Sequence, residues 1–225
     1  MVRLVLASRS PARLATLRSA GVEPLVRVSG VDEDAVLAAA RAGNEHLTPA
    51  DAVLRLAQAK AEDVASPSGT GAGIAGGVVV GCDSMLEIDG AVVGKPADAA
   101  AARERWRAMR GGKGVLHSGH WLVDLREAAD GGTGATLGAT SSTTVWFAEL
   151  DDAEIDAYVA TGEPLHVAGS FTIDGLGGPY VERIEGDHHG VVGISLPLLR
   201  ALLADIGVPW RNLRNVGGES GTDPA

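Results

Sequence analysis

The stretch GGVVVGCDSMLEIDGAVVGKP, residues 76 to 96, constrains this chain more than any other. Val78, Val79 and Val80 form an unbroken apolar run, the pattern of a strand buried on both faces. Such a strand needs a layer above it and a layer below. Asp89-Gly90 follows as a two-residue hairpin turn, since both residues tolerate positive φ. The stretch reads as strand, turn residue, strand, tight turn, strand. One acid (Asp83) and one base (Lys95) stand where the apolar runs end.

The flanking segments alternate between two periodicities. Residues 2 to 7 read as a strand, and SRSPARLATLRSAG reads as a tight loop entering a helix, with Pro11 in the first turn and Gly21 at the stop. A short strand is expected at 24 to 29 and an acidic-start helix in VDEDAVLAAARAG. Thr48 then caps a further helix, with Pro49 at its first position and Asp51 in its first turn. Residues 65 to 77, ASPSGTGAGIAGG, read as a flexible linker. Beyond Lys95 the pattern predicts a helix over 97 to 112 with Ala99, Ala102, Trp106 and Met109 on one face. Strands follow near 115 to 125 and 140 to 148, then a helix over 151 to 160, a strand over 179 to 185 and a last helix over 195 to 206. His188-His189, beside two glycines, reads as a loop. Strands interleaved with helices predict an α/β fold with a mixed sheet. The expected domain covers residues 1–209, with 210–225 a disordered tail.

Composition narrows the function. An apolar content of 45% excludes wholesale disorder, and no apolar run approaches the roughly 18 residues a membrane span needs. The N-terminus shows no signal-peptide core, so a cytoplasmic protein is expected. The single cysteine, Cys82, excludes a disulfide framework and a multi-cysteine zinc site. A net charge of -10 argues against nucleic-acid or anionic-membrane partners. Yet residues 1 to 22 carry Arg3, Arg9, Arg13 and Arg18 and no acid. That basic island suits a small anionic ligand, or is a solvated helix face.

Several familiar chemistries fail on context. Gly71, Gly73 and Gly76 match GxGxxG but precede a strand, where the dinucleotide fingerprint must follow one. His117 and His120 lie in a predicted strand, without metal spacing. Ser195, in GISLP, lacks the second glycine of a nucleophile elbow.

Three polar residues break their local patterns instead. Lys60 falls on the apolar stripe of Val53, Leu56, Ala57 and Val64; an inward lysine needs a partner or a cleft, or it snorkels from the stripe's edge. Asp83 follows the valine run by three residues, where α/β sheets place catalytic carboxylates, or where a turn needs a cap. Lys95 either lines the same cleft or ends its strand in solvent. Counting back from Asp89-Gly90 pairs Met85 with Gly94 and Ser84 with Lys95, which would turn Asp83 and Lys95 to opposite faces. Both can face one cleft only if pairing lapses near Gly94.

Together these pieces resemble the Maf family of nucleotide pyrophosphatases, also called septum-formation inhibitors. LASRSPARLATLRSAG is similar to the family's Ser-x-Ser-Pro loop, VDED to its acidic motif, LAQAKA to its helix lysine, and GCDSMLEIDGAVVGKP to its central motif. GEPLHVAGSFTIDGLGGPYVERIEGDHHGVVGISLPLL matches the C-terminal block, so coverage runs from about residue 2 to 207. The resemblance implies an elongated, twisted mixed sheet, two lobes around a central cleft, and kinship with inosine triphosphate pyrophosphatases. It implies hydrolysis of a nucleoside triphosphate to monophosphate and pyrophosphate with a divalent metal (Mg²⁺ or Mn²⁺), often in homodimers. By position, Asp83 looks like the proton acceptor. Ser8, Arg13, Lys60 and Lys95 would hold the triphosphate, and Glu33 and Asp83 the metal.

The chain departs from the family pattern at Ala12, where many members carry a second arginine, and at Cys82, usually alanine. Val167 and Asp174 replace the lysine and glutamine of members that favour thymidine and uridine nucleotides, and AGSF is nearer to the 7-methylguanosine triphosphate subgroup. Two rival readings are a cell-division regulator that binds nucleotide as a signal and an inosine triphosphate-type purine pyrophosphatase.

Overall fold

The computed structural model describes residues 1–71, 73–74 and 76–213. In chain order the elements are β1 (Leu4–Ala7), α1 (Pro11–Ser19), β2 (Leu25–Val26), α2 (Glu33–Gly43), α3 (Pro49–Ala65), β3 (Val78–Ile88), β4 (Ala91–Val93) and α4 (Ala99–Met109). They continue with β5 (Lys113–Asp124), β6 (Thr136–Phe147), α5 (Asp152–Ala160), β7 (Val181–Glu185), α6 (His188–Val192) and α7 (Leu196–Asp205). The sheet runs β2-β1-β3-β5-β6-β7, with β4 also paired to β3. β1 is parallel to β2 and β3, and every other pairing is antiparallel. The expected mixed α/β sheet is therefore the fold.

Helix starts follow the expected cap chemistry. Thr48 Oγ1 accepts from the Asp51 N–H at 3.1 Å, and Ser10 Oγ accepts from the Arg13 N–H at 3.4 Å. The turn Asp89-Gly90 has φ of 49° and 81°, the two positive values of a type I′ hairpin.

β3 carries the architecture. Its side chains alternate across the sheet, as the pleat requires. Val78, Val80 and Cys82 enter one core with Leu6, Leu17, Leu199 and Leu203. Four residues on, Leu86 enters a second core on the same face, with Trp106, Phe147, Ile155 and Tyr158. Trp106 meets Phe147 and Tyr158 edge-on at 5.8 and 5.4 Å, the arrangement the ring quadrupoles favour. On the opposite face Val79 packs with Ala61 and Val64 of α3. One strand thus joins two cores, and residues 83 to 85 lie between them.

The structure differs from the sequence reading in four places. β3 does not break after Val80; ten of its residues pair continuously with β5, so Asp83 lies mid-strand. His188-His189 opens the short helix α6, because the Asp187 carboxylate caps it through the Gly190 N–H at 2.8 Å. β6 begins at Thr136, four residues early, since Asp124 gathers the glycine-rich connection by accepting from Arg126 and Thr133. Trp210–Asn212 forms a 3-10 turn and Leu213 is buried in the first core, so packing extends past residue 209. The rest of the expected tail lies outside the described residues.

α3 can press so closely on the sheet because glycines lie beneath it. A Cβ on Gly81 would stand 2.1 Å from the Ala57 carbonyl oxygen, and one on Gly119 would stand 2.4 Å from that of Val53. Gly81→Ala should therefore lift α3 and destabilise the protein by about 1–3 kcal/mol, the usual cost of overpacking. Urea unfolding measures it, and unchanged stability would show that α3 is not held against β3 in this way.

Candidate active site

The site begins as a gap in hydrogen bonding. β1 pairs with β3 as far as Ala7↔Gly81, and β4 takes up the same edge only at Leu86↔Val93. β5 occupies the other edge throughout. Cys82 to Met85 therefore present one edge without a strand beside it, and buried backbone groups there need other partners. The lapse that a shared cleft for Asp83 and Lys95 requires does occur, beginning at Gly94. Ser84 and Lys95 do not pair.

Arg13 fills much of the gap. From α1 its Nη1 donates to the Cys82 carbonyl at 2.9 Å and to Ser8 Oγ at 3.0 Å. Its Nη2 donates to Ser84 Oγ at 3.1 Å, and its Nε donates to the Gly193 carbonyl at 2.8 Å. Four of its five N–H groups are engaged, all with neutral acceptors. Behind them Ser84 and Ser118 share a hydroxyl bond of 2.7 Å, and Ser118 donates to the Gly190 carbonyl at 2.8 Å. His120, buried and pushed down to about 4 by desolvation first and then by Arg13, accepts from the Ser195 N–H at 2.8 Å.

On the other face α3 delivers Lys60. The inward placement read from its stripe holds, with the residue only 9% exposed. Its Nζ donates to Asp83 Oδ1 at 2.6 Å and pairs with Glu33 Oε1 at 2.8 Å, Glu33 being the first residue of α2. Asp83 is 8% exposed. Burial pushes its carboxyl above the usual aspartate range, against the pull of the Lys60 and Arg13 charges. A carboxyl so shifted is a better proton acceptor than an ordinary one.

The structure thus brings Glu33, Lys60 and Asp83 into one contact and Ser8 and Arg13 into another on the adjoining edge. Lys95 stands apart, two residues past β4, exposed and without a hydrogen bond or ion pair among the described residues. Asp83 and Glu33 meet on Lys60 Nζ, so a hard cation of the magnesium type, which takes one or two carboxylates and completes its shell with water and phosphate oxygens, would have to share them with that ammonium. A closed protein cage is not present, for the described residues hold no group of three or more ligating side chains.

Sequence reasoning missed Ser84, Ser118 and Arg105. The two serines stand at directly opposed positions of β3 and β5, next to Asp83 and His117, a pairing that only the strand register reveals. Arg105 sits three residues after Ala102 and beside Trp106, both buried, so it could be seen to border the inward face. Ser195, whose hydroxyl accepts from the Leu198 N–H at 3.2 Å, caps α7, in keeping with the absence of an elbow motif. Cys82 is buried and its thiol is pushed up to about 11, which leaves it inert.

An α/β sheet with two cores strung on one strand, and a buried lysine–carboxylate pair between them, defines the class of protein. The family described as Maf-like protein matches residues 3–206, and the chain belongs to it. Relatives bearing the name nucleoside triphosphate pyrophosphatase include one from Rhodococcus opacus, 55% identical over 92% of this chain and 94% of its own length. One from Leifsonia xyli is 53% identical over 97% and 100%. A third, from Streptomyces coelicolor, is 53% identical over 91% of each. No described helix is long and apolar enough to cross a membrane.

The shift on Asp83 yields a test. Lys60 stabilises the carboxylate, so Lys60→Met leaves burial less opposed and raises the Asp83 pKa further. The form that accepts a proton then appears only at higher pH. The acid limb of kcat/KM for pyrophosphate release should move upward in the variant, and a limb that stays in place would assign that titration to another group.

Proposed function

We propose that this chain is a nucleoside triphosphate pyrophosphatase that releases a monophosphate and pyrophosphate. The observation that carries the reading is the buried Lys60–Asp83 pair on the unpaired edge of β3, between the two cores. The names of its relatives support it.

Each residue has a task in that reaction. Water attacks the α-phosphorus; its oxygen bonds to phosphorus, the bond from phosphorus to the bridging oxygen breaks, and pyrophosphate leaves with that electron pair. Asp83 accepts the proton of the attacking water. Lys60 and Lys95 balance the charge that moves onto the leaving pyrophosphate. Arg13 adds a fixed cation and one remaining donor, while the Ser8 loop lies at the N-terminus of α1, where phosphate oxygens are favoured. Asp83 and Glu33 would hold a divalent metal, Mg²⁺ or Mn²⁺, which supplies charge neutralisation on the triphosphate when bound.

The same reading makes the chain a cytoplasmic protein, and the family resemblance adds to it the homodimer and the clearing of non-standard or modified nucleotides. Sedimentation tests the assembly. A regulator without turnover is less favoured, since a pure binder has no need of Asp83 as a base, and the match to the Maf-like family over residues 3–206 speaks against an inosine triphosphate-type purine enzyme.

Asp83→Asn keeps the shape and hydrogen-bonding reach of the side chain but cannot accept a proton. Pyrophosphate release per folded molecule should fall by about 10²- to 10⁴-fold with nucleotide binding retained. Near-wild-type turnover would sink the assignment.

Val167 and Asp174 offer neither the lysine nor the glutamine of the pyrimidine-preferring pattern, and discrimination by polar pairing needs both partners. A panel of nucleotides with Mg²⁺ or Mn²⁺ should show no strong preference for thymidine or uridine triphosphate. A large preference for either overturns the subgroup reading.

A further inference from the structure

α4 carries three arginines and Arg110 caps its end, and one of the four behaves unlike the others. Arg103 pairs with Asp156, Arg107 with Glu104 and Asp152, and Arg110 with Glu149 and Asp152. Arg105 pairs with no carboxylate among the described residues, although it is partly buried and desolvation depresses its pKa. A guanidinium withdrawn from water without an acid is unfavourable unless something else requires it there.

What it touches is two loops. Its Nη1 donates to the Gly94 carbonyl at 2.5 Å and to Ser170 Oγ at 2.8 Å. The next residue, Trp106, donates from Nε1 to the Ser170 carbonyl at 2.8 Å. Ser170 is fully buried with φ of 60°, a left-handed conformation that non-glycine residues hold only when their surroundings impose it. The Gly169 N–H also donates to the Gly94 carbonyl, at 3.4 Å. Gly94 immediately precedes Lys95, and the turn at 168–170 follows Val167.

We propose that Arg105 is a positioning residue that clamps the Lys95 loop to the 168–171 loop, so that both meet the triphosphate as one rigid jaw. The proposal rests on the pyrophosphatase reading and extends it. Lys95 has no partner of its own, so its placement depends on the backbone beside it, and Arg105 grips that backbone at the adjacent carbonyl. Reach matters beside charge, because one nitrogen at the far end of the side chain serves two acceptors on two loops.

Four variants test this: Arg105→Gln, Arg105→Lys, Lys95→Met and the double Arg105→Gln/Lys95→Met. Amide hydrogen exchange reads the clamp directly. Arg105→Gln should speed exchange at Gly169 while residues of the first core keep their protection; unchanged exchange at Gly169 overturns the clamp, whatever the enzyme does. For the nucleotide that wild-type protein turns over best, Arg105→Gln should raise KM by about tenfold, with kcat altered far less. The double variant should be within about twofold of Lys95→Met, as expected when one residue acts through the other. Effects that multiply independently overturn the positioning role. Arg105→Lys keeps the charge on a shorter arm, so full rescue of KM while exchange at Gly169 stays fast would assign the effect to charge and overturn positioning too. Wild-type protein that releases no pyrophosphate from any nucleotide refutes the parent reading and the Lys95 role, and the exchange result still judges the clamp by itself.

Discussion

The contact of Lys60 with Asp83 depends on how closely a helix can approach a sheet. An ammonium and a carboxylate at 2.6 Å, both nearly buried, require α3 and β3 to lie closer than ordinary side chains permit. Gly81 and Gly119 permit it, since α3 backbone occupies the space their side chains would need. The same approach packs Val79 on Ala61 and Val64, so apolar burial holds in place a pair that electrostatics alone would not. Withdrawing two ions from water costs several kcal/mol each, which their attraction only partly offsets. A pair kept under those conditions does little for stability. Its use lies in the poise it gives Asp83.

Much of this was legible in the chain, and the reasons differ by residue. Lys60 could be located because helical periodicity assigns faces, and a cation on an apolar stripe is conspicuous. The valine run and the Asp89-Gly90 turn located β3 and β4 because their signals are local. The hydrogen-bonding gap was only conditionally visible: counting from the turn showed that strict pairing would separate Asp83 from Lys95, but the length of the gap also depends on where β1, remote in sequence, leaves the same edge at Ala7↔Gly81. The unbroken course of β3 was hidden for a similar reason. Gly81 looks like punctuation locally, and only the helix above it shows why glycine is needed there. His188-His189 looked like a loop because its cap, Asp187, makes a helix too short for periodicity to reveal.

The two cores divide the labour. The first joins β1, α1 and α7 and supports Ser8 and Arg13; the second joins α4, α5 and β6 and supports the Lys95 loop. β3, β5 and β6 cross both, each with eleven or twelve residues. Movement of one core against the other must therefore be taken up in these strands, near residues 83 to 85, where β3 has lost one neighbour. The acid sits where β3 has lost one neighbouring strand and where its face is still nearly buried.

Arg13 shows why placement in a site does not by itself make a residue a ligand. Resemblance assigns it to the triphosphate, yet four of its N–H groups already serve two carbonyls and two hydroxyls, among them the Cys82 carbonyl on the strandless edge of β3. To give those bonds to a phosphate would strand the Cys82 carbonyl in a buried gap, at a cost of about 1–3 kcal/mol for the unsatisfied group. A guanidinium fixed in this way acts on the site through its field. It opposes the upward push of burial on Asp83 and lowers the pKa of His120, and it does both without moving. Preorganised charge of this kind needs no reorganisation as the reaction proceeds, which is how electrostatic stabilisation becomes effective in a desolvated cleft. Arg13 then takes the place of a strand, while Lys60 is held between Asp83 and Glu33 and Lys95 has no hydrogen bond or ion pair among the described residues.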